Sequence, residues 1–173
     1  ETFYGIGENR PLVLEEKKIS REDTHFIGNI QSRQLETIIR YANTIHSIYK
    51  ISHLEKIKLL VTKYQLPLNI FLQINISQES QKSGINPSEL SRFLDSMALL
   101  EIPQTLLNIA GLSAIGAGSF TIEEKIKEFQ ILKKLKEQYL PDSKISAGTS
   151  RDYEIALGEG IDIVRVGQAL VEN

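Results

Sequence analysis

The chain has 173 residues, with 20 Lys or Arg against 22 Asp or Glu, and its net charge is −2. This near balance excludes a strongly basic nucleic-acid-binding protein, and 41% hydrophobic with 24% charged residues is typical of a folded globular protein. The length predicts a single domain over residues 1–173.

Several other classes of protein are excluded by what the sequence lacks. Without cysteine there is no disulfide, thiolate nucleophile or Cys-bound metal, and no apolar run approaches the roughly 20 residues of a membrane span. The residues that follow Glu1 are neither a signal peptide nor an initiator Met. We therefore expect a cytoplasmic protein that binds neither nucleic acid nor membrane, with further chain upstream of Glu1.

Short runs of apolar and β-branched residues alternate with longer helical patterns. The predicted strands are Phe3–Ile6, Thr24–Ile27, Thr44–Ser47, Asn69–Ile74, Leu107–Ile115, Lys144–Ser146 and Ile161–Val166. This alternation indicates repeated βα units on a parallel sheet.

Three predicted helices carry start signals. Ser52–Glu55 and Thr121–Glu124 have the spacing of a capping box, and Asn86 precedes a proline at the first helical position. Pro141 lies just past the helix that begins near Thr121. Further helices are predicted at 8–18, 30–40 and 151–157.

Seven predicted strands are one fewer than a (β/α)8 barrel requires. The sequence therefore predicts a TIM-like α/β barrel without its first βα unit, whose open edge would favour dimerisation or aggregation. A doubly wound open sheet is the alternative. Its G-x-G-x-x-G fingerprint is absent, because Arg10 stands where the third glycine would follow Gly5 and Gly7.

Ligands of parallel α/β folds bind at the carboxyl ends of the strands. Gly148, Thr149 and Ser150 follow the sixth predicted strand and lead into a helix, and Gly167 follows the seventh. Such a turn offers backbone N–H groups and the positive end of a helix to a phosphate. The alternative is that Gly148 serves only the turn and that Thr149 or Ser150 caps the helix.

Polar residues on the strands leave further alternatives open. Arg165, inside an apolar strand, either faces a ligand or points outward to an acid such as Glu159. His25 and His46 fall at strand positions and suit either a site or the core. Because no two histidines share metal-ligand spacing with a carboxylate, no metal site is expected.

The polar loop 75–84 connects a predicted strand to a capped helix. It is either a solvated connection or a lid whose Lys82 reaches an anion at the mouth of the barrel. Composition alone does not separate these two interpretations.

The motifs, taken in order, resemble those of the YggS/PROSC-type pyridoxal phosphate homeostasis proteins. The match runs nearly end to end. The motifs are Gly7-Glu8-Asn9, His25-Phe26-Ile27-Gly28, Ile45-His46-Ser47, Asn75-Ile76-Ser77, Gly111-Leu112, Gly148-x-Ser150-x-Asp152 and Val164-Arg165-Val166-Gly167.

The resemblance implies a barrel like the cofactor-binding domain of alanine racemase, without that enzyme's second domain. It implies pyridoxal 5'-phosphate as the cofactor and a role as carrier or buffer in its homeostasis, with no established catalysis. The implied partners are the cofactor and apo-enzymes that receive it, and the implied oligomeric state is a monomer or weak homodimer.

The same resemblance assigns the site residues. It places Ser150, with the backbone around Thr149, Val166 and Gly167, on the phosphate, and Arg165 near the pyridine ring. The remaining predicted cofactor-binding residues are Asn9, His25, Ser47 and Gly148. The family's Schiff-base lysine lies on its first strand, in a V-S-K-x-K context that this chain lacks, and we expect it upstream of Glu1.

Three rival functions remain open. An amino-acid racemase-like pyridoxal phosphate enzyme would need a second acid or base, which in the racemase comes from another domain. A barrel enzyme acting on a phosphorylated small metabolite would share the phosphate site without a lysine imine. A structural module that has lost the anchoring lysine would bind no ligand.

Overall fold

The computed structural model describes residues 4–17, 19–77, 79, 82–115 and 121–167. Seven strands form one sheet in the order β1 to β7, and each strand pairs in parallel with the next along the chain. The strands β1 to β7 are Ile6–Glu8, Thr24–Phe26, Thr44–Ile48, Leu68–Ile74, Leu107–Ala114, Lys144–Thr149 and Ile163–Arg165. This order confirms the predicted TIM-like barrel with seven of its eight strands.

A helix lies between each pair of successive strands, which gives the predicted βα alternation. The helices α1 to α6 are Pro11–Glu16, Leu35–Tyr41, Ile51–Tyr64, Leu90–Ala98, Ile122–Tyr139 and Tyr153–Gly158. Short 3₁₀ turns cover Arg21–Asp23, Ser32–Gln34 and Pro87–Glu89. Within the part of the chain that the structure describes, no helix is long and apolar enough to cross a membrane.

The core is densest between the central strands and the helices that cover them. Strand side chains alternate between two faces, so one apolar face packs under the helices and the other faces the barrel interior. The fully buried members of this core include Ile38, Ile39, Ile45, Ile48, Leu54, Ile57, Val61, Ile70, Leu72 and Ile74.

Four strands match the prediction to within one residue at either end, and three differ by more. Strand β1 covers Ile6–Glu8 rather than Phe3–Ile6, because the polar Glu8 joins the ladder beside Phe26; Phe3 lies outside the described residues. Strand β6 continues to Thr149 through a register shift, so the prediction that Gly148 lies in a turn is wrong. Strand β7 is shorter than predicted and ends at Arg165.

Two of the three predicted helix starts are confirmed. Thr121 forms a complete capping box with Glu124, and the Asn86 side chain accepts a hydrogen bond from the Ser88 N–H. The capping box predicted at Ser52 is wrong. The helix already begins at Ile51, with Lys50 at the cap and no side-chain cap bond, so Ser52 lies inside the first turn.

The remaining helices are shorter than predicted for local reasons. Helix α1 begins at Pro11, whose fixed φ and missing N–H suit the first helical position. The predicted helix 30–40 divides into a 3₁₀ turn and α2, and the one predicted at 151–157 begins only at Tyr153. Lys18, the predicted end of the first helix, lies outside the described residues.

Candidate functional site

The carboxyl ends of β6 and β7 bring Ser150 and Gly167 together. The Gly167 N–H donates a hydrogen bond to Ser150 Oγ at 3.3 Å. A Cβ added at Gly167 would meet no heavy atom within 4 Å, so the space beside this backbone is open. A hydroxyl and a backbone N–H beside open space fit a phosphate group. We call Ser150, Val166 and Gly167 the phosphate cradle.

Asp152 holds the turn that precedes helix α6. Its Oδ1 accepts hydrogen bonds from the Thr149 N–H at 2.7 Å and from Thr149 Oγ1 at 3.0 Å, and Lys125 Nζ donates to its Oδ2 at 3.1 Å. Burial acts to raise the pKa of this carboxyl, but the bonds from Thr149 and Lys125 outweigh it and hold the pKa below its usual value. Because the Thr149 N–H is committed to Asp152, it does not fit the predicted phosphate role.

The helix that follows this turn has Asp152, and not Thr149 or Ser150, at its N-cap position. Helix α6 has six residues, and its N-cap, Asp152, makes no side-chain cap bond. The alternative that Thr149 or Ser150 caps the helix is therefore wrong. Gly148 has φ +86, and a Cβ there would lie 2.7 Å from the Ala156 Cβ, so a glycine lets β6 pass close to α6.

Arg165 points into the barrel rather than toward Glu159. Its Nη1 donates to both the carbonyl O and the Oγ of Ser146 at 2.8 Å, and its Nη2 donates to the Ala114 carbonyl at 2.7 Å. Burial lowers its pKa to about 10, with Asp152 acting in the opposite direction. The guanidinium is therefore a charged group at neutral pH, fixed under the carboxyl ends of β5 and β6.

Two histidines continue this polar arrangement across the barrel interior. His46 Nδ1 lies 2.9 Å from Ser146 Oγ, and His46 Nε2 lies 2.9 Å from His25 Nδ1. The His46 ring stacks on Phe71 with ring centroids 4.4 Å apart. Hydrogen-bond contacts thus run from Arg165 through Ser146 and His46 to His25; we call these four residues the interior chain.

The mouth of the barrel contains a cavity of about 600 Å³, lined in part by Asn9, Gly28 and Ile115. These residues follow the ends of β1, β2 and β5. Gly28 is needed because a Cβ there would lie 2.3 Å from the Asn9 carbonyl oxygen. Ser47 donates its hydroxyl to the Gly28 carbonyl at 2.6 Å, so it ties β3 to this rim.

His25 lies at the opposite end of the barrel from Asn9. Its ring lines a cavity of about 680 Å³ together with Asn43 and Lys144, which lie at the amino-terminal ends of β3 and β6. The structure therefore connects His25 to the predicted site only through the interior chain.

The described residues of the loop 75–84 hydrogen-bond to one another, and residues 78, 80 and 81 lie outside the described part of the chain. The Asn75 side-chain amide donates to the carbonyls of Glu79 and Lys82, and Lys82 Nζ lies 2.6 Å from Glu79 Oε1. Lys82 is thus paired inside the loop, and the proposal of a lid reaching an anion gains no support from this geometry. Among the described residues no three His, Asp or Glu side chains gather as a metal site would need.

Sequence reasoning missed Asp152 and the interior chain. The signal for Asp152 is its position three residues after Thr149, the spacing at which a carboxylate bonds back to a turn. For the interior chain the signal is that His46, Ser146 and Arg165 each occupy a strand position on the same face of the sheet. Recognising it requires the strand register, which the sequence alone does not supply.

The comparisons with known proteins agree with the resemblance carried by the motifs. The family described as "Alanine racemase, N-terminal domain" matches residues 12–172. The "Pyridoxal phosphate homeostasis protein" of Escherichia coli K12 is 29% identical over 98% of this chain and 73% of its own length. The protein of the same name in Schizosaccharomyces pombe is 32% identical over 95% of this chain and 72% of its own.

Solved structures share the fold. A protein described as unknown from Bifidobacterium adolescentis has a TM-score of 0.84 at 27% identity, over 96% of this chain and 75% of its own. PipY of Synechococcus elongatus, solved with pyridoxal phosphate bound, has a TM-score of 0.77 at 24% identity, over 95% and 79%. Alanine racemase of Clostridium difficile has a TM-score of 0.71 at 14% identity, over 95% and 44%.

Proposed function

We propose that this chain, which belongs to the alanine racemase N-terminal domain family, binds pyridoxal 5'-phosphate and serves in the homeostasis of that cofactor. The names of its relatives in Escherichia coli and Schizosaccharomyces pombe support the proposal. The observation that carries it is the position of Ser150 and Gly167, which contact each other beside open space after the ends of β6 and β7. Strand β7 also carries Arg165.

The phosphate cradle would hold the cofactor's phosphate. Ser150 Oγ and the Gly167 N–H would bind its oxygens, and Val166 would carry the backbone between Arg165 and Gly167. Thr149 and Gly148 would act indirectly. Asp152 holds the Thr149 N–H, and Gly148 allows the close approach of β6 to α6. Asn9 would line the mouth cavity on the far rim.

Arg165 would face the pyridine ring. When bound, the cofactor supplies an aldehyde carbon and a ring that withdraws electrons most strongly when its nitrogen is protonated. A guanidinium cannot take up a proton, and its positive charge disfavours protonation of a nearby nitrogen. Arg165 would therefore favour storage of the cofactor over its use as an electron sink.

A carrier without turnover is the form of this proposal that the relatives' names support. Racemases share the fold, so amino-acid racemisation by the purified protein is the activity to measure against it. The anchoring lysine upstream of Glu1, the cytoplasmic location and the apo-enzymes that receive the cofactor stay predictions.

The test uses pyridoxine 5'-phosphate, which has the ring and the phosphate but no aldehyde. It therefore reports the cradle and cannot react with surface lysines. Isothermal titration of the wild-type chain should show one saturable site. Ser150→Ala should weaken binding about tenfold, as expected for the loss of a hydrogen bond to a charged group.

Ser96→Ala is the matched control, because Ser96 Oγ donates to the Arg92 carbonyl of its own helix, α4, which is remote in the fold from β6 and β7. Its affinity should equal that of wild type. Equal binding by Ser150→Ala and wild type would remove the cradle from the proposal. If ribose 5-phosphate displaces bound pyridoxine 5'-phosphate and pyridoxal 5'-phosphate does not, the result would instead favour a barrel enzyme acting on a phosphorylated metabolite.

A further inference from the structure

We propose that His46, backed by His25, is a positioning residue for Arg165 and makes cofactor retention depend on the proton held by this pair. The inference deepens the proposed function and rests on it where the cofactor is concerned. It stands on the contacts of the interior chain, which reach Arg165 without passing through the phosphate cradle.

The Ser146 hydroxyl contacts both His46 and Arg165 and so links the histidines to the guanidinium. An arginine does not give up its proton, so Nη1 donates to Ser146 Oγ and the hydroxyl must accept. The same hydroxyl has one hydrogen of its own, and His46 Nδ1 lies 2.9 Å away. A neutral His46 that accepts this hydrogen turns the Ser146 lone pairs toward Arg165.

The ring-to-ring contact limits how many protons the pair can hold. His46 Nε2 and His25 Nδ1 are 2.9 Å apart, so one nitrogen carries a hydrogen and the other accepts it. A single added proton is compatible with this contact and makes His46 a donor on both sides. A second added proton would put a hydrogen on both facing nitrogens and break the contact.

The added proton reverses the direction of the hydrogen bond between His46 and Ser146. His46 would then donate to Ser146 Oγ, which already accepts from Arg165, so two cations would share one hydroxyl. Their repulsion weakens the bond from Nη1 to the hydroxyl, although Nη1 keeps the Ser146 carbonyl and Nη2 keeps the Ala114 carbonyl. Protonation of the pair and firm placement of Arg165 are therefore opposed.

Burial, aided by the charge of Arg165, keeps the pair neutral near pH 7. Burial lowers the pKa of His46 well below its ordinary value, and the charges of Arg165 and His25 act in the same direction. Burial also lowers the pKa of His25, and Asp23 opposes it. On the other side of Arg165 the facing charge is that of Asp152, which favours the guanidinium.

The first experiment follows the free protein by NMR. The chain has three histidines, so variants assign each imidazole, and nitrogen shifts report the tautomer of each ring. On acidification His25 and His46 should titrate as one coupled unit, and the Arg165 side-chain signals should move with them. His46→Asn places an amide near Ser146 without a titrating ring, and should abolish the movement of Arg165.

The second experiment measures affinity for pyridoxine 5'-phosphate at pH 7.5 and 4.5 in wild type, His46→Asn and Ser146→Ala. The phosphate itself titrates in this range, so the ratio of variant to wild-type affinity is the readout. That ratio should rise severalfold on going to pH 4.5, because in the wild type a protonated His46 weakens the placement of Arg165 and in both variants this contact is absent. Ser146→Ala removes the hydroxyl through which His46 reaches Arg165, and it keeps the test available if His46→Asn does not fold.

His53→Asn is the control for replacing a buried histidine. His53 is 2% exposed in α3, and its ring meets the Tyr49 ring edge-on. The ratio of the affinity of His53→Asn to that of wild type should stay constant with pH. Constant ratios for His46→Asn and Ser146→Ala, or a titration of His46 that leaves the Arg165 signals in place, would overturn the inference.

The two proposals fail differently. Failure of the wild type to bind pyridoxine 5'-phosphate at pH 7.5 would count against the proposed function, and the NMR titration would still decide the coupling of His46 to Arg165. Binding at pH 7.5 with ratios independent of pH would leave the proposed function standing and remove the role of the histidines.

Discussion

The barrel has two regions built from different side chains. Strands β3 and β4 carry large apolar residues that pack under α2 and α3, and Ile45, Ile48, Ile70 and Leu72 are all fully buried. Strand β7 has three residues and carries Arg165, and β6, which pairs with it through a register shift, presents mainly small or polar residues. The first region supplies stability through burial, and the second supplies groups that can meet a ligand.

The buried side chains of the second region need hydrogen-bond partners, whereas those of the first region are apolar and need only close packing. A buried charge is costly unless it is hydrogen-bonded, and both Arg165 and Asp152 have their partners on neighbouring elements. The comparison teaches that variants in the first region should reduce stability with little effect on the bound state. In the second region, variants of the groups that would meet the ligand, Ser150 and Arg165, should change binding more than stability, and variants of the groups that shape it, Gly148 and Asp152, should change stability.

Ile70→Ala should give the largest loss of stability. Deleting a fully buried isoleucine side chain costs about 2–5 kcal/mol, because transfer free energy is lost and a cavity is left. Urea denaturation measures this loss. Affinity for pyridoxine 5'-phosphate, measured at a temperature where the variant is folded, should match wild type; a tenfold weaker affinity would remove the distinction between the regions.

Arg165→Leu should have the opposite profile. It removes the cation that would face the ligand, and affinity should fall about tenfold or more. The free energy of unfolding should change less than in Ile70→Ala, since replacing a buried charge by an apolar group removes its desolvation cost. Calorimetric titration measures the affinity and urea denaturation measures the free energy of unfolding, both on the same sample. Unchanged affinity would contradict the prediction.

Gly148→Ala should lose about 1–3 kcal/mol, because a positive φ strains any residue with a Cβ and the added Cβ would meet Ala156. Gly158→Ala is the matched control, at the end of α6 with no heavy atom within 4 Å of its added Cβ. That control should gain about 0.5–1 kcal/mol. Thermal melts of the two variants side by side would show opposite shifts, and shifts of the same sign would contradict the assignment of strain to Gly148.

Asp152→Asn should make stability less dependent on acid pH. The folded-state pKa of Asp152 lies below its ordinary value of 3.8, so its contribution is fully present above that pH and is lost as pH falls through the folded value. At pH 7 the variant should be about 1–2 kcal/mol less stable. Melts from pH 7 to pH 2.5 should show the difference from wild type shrinking only below pH 3.8.

Thr121→Ala should have the smallest effect, a loss of about 1 kcal/mol from removing half of the capping box. Ser52→Ala is the control, because Ser52 has the same S/T-x-x-E sequence spacing but makes no cap bond in the structure. Urea denaturation should detect the first change and not the second. Equal losses at both positions would mean that Ser52 caps its helix after all.

Much of the fold could be predicted because its signals are local. Alternation of strand and helix periods gave the barrel, and Asn86 and Thr121 marked helix starts through bonds to residues two or three positions away. The failures also have a local cause. Ser52 fits the capping pattern, but the helix begins two residues earlier than a cap at Ser52 would place it.

The candidate site divides in the same way. Ser150 and Gly167 were found from their positions after strand ends and Arg165 from its place inside an apolar strand, and the structure brings Ser150 and Gly167 into contact. The interior chain joins residues up to 140 positions apart, from His25 through His46 and Ser146 to Arg165. Such contacts depend on register and bulges, for which a single sequence gives no signal.

The strand order has a consequence for how the chain folds. Every strand pairs with the next one along the sequence, so no pairing has to wait for a distant segment. Assembly can therefore proceed from one βα unit to the next as the chain emerges from the ribosome, with the long β4–β5 ladder as its most persistent part. Hydrogen exchange should find the slowest amides in β4 and the fastest strand amides in β1 and β7.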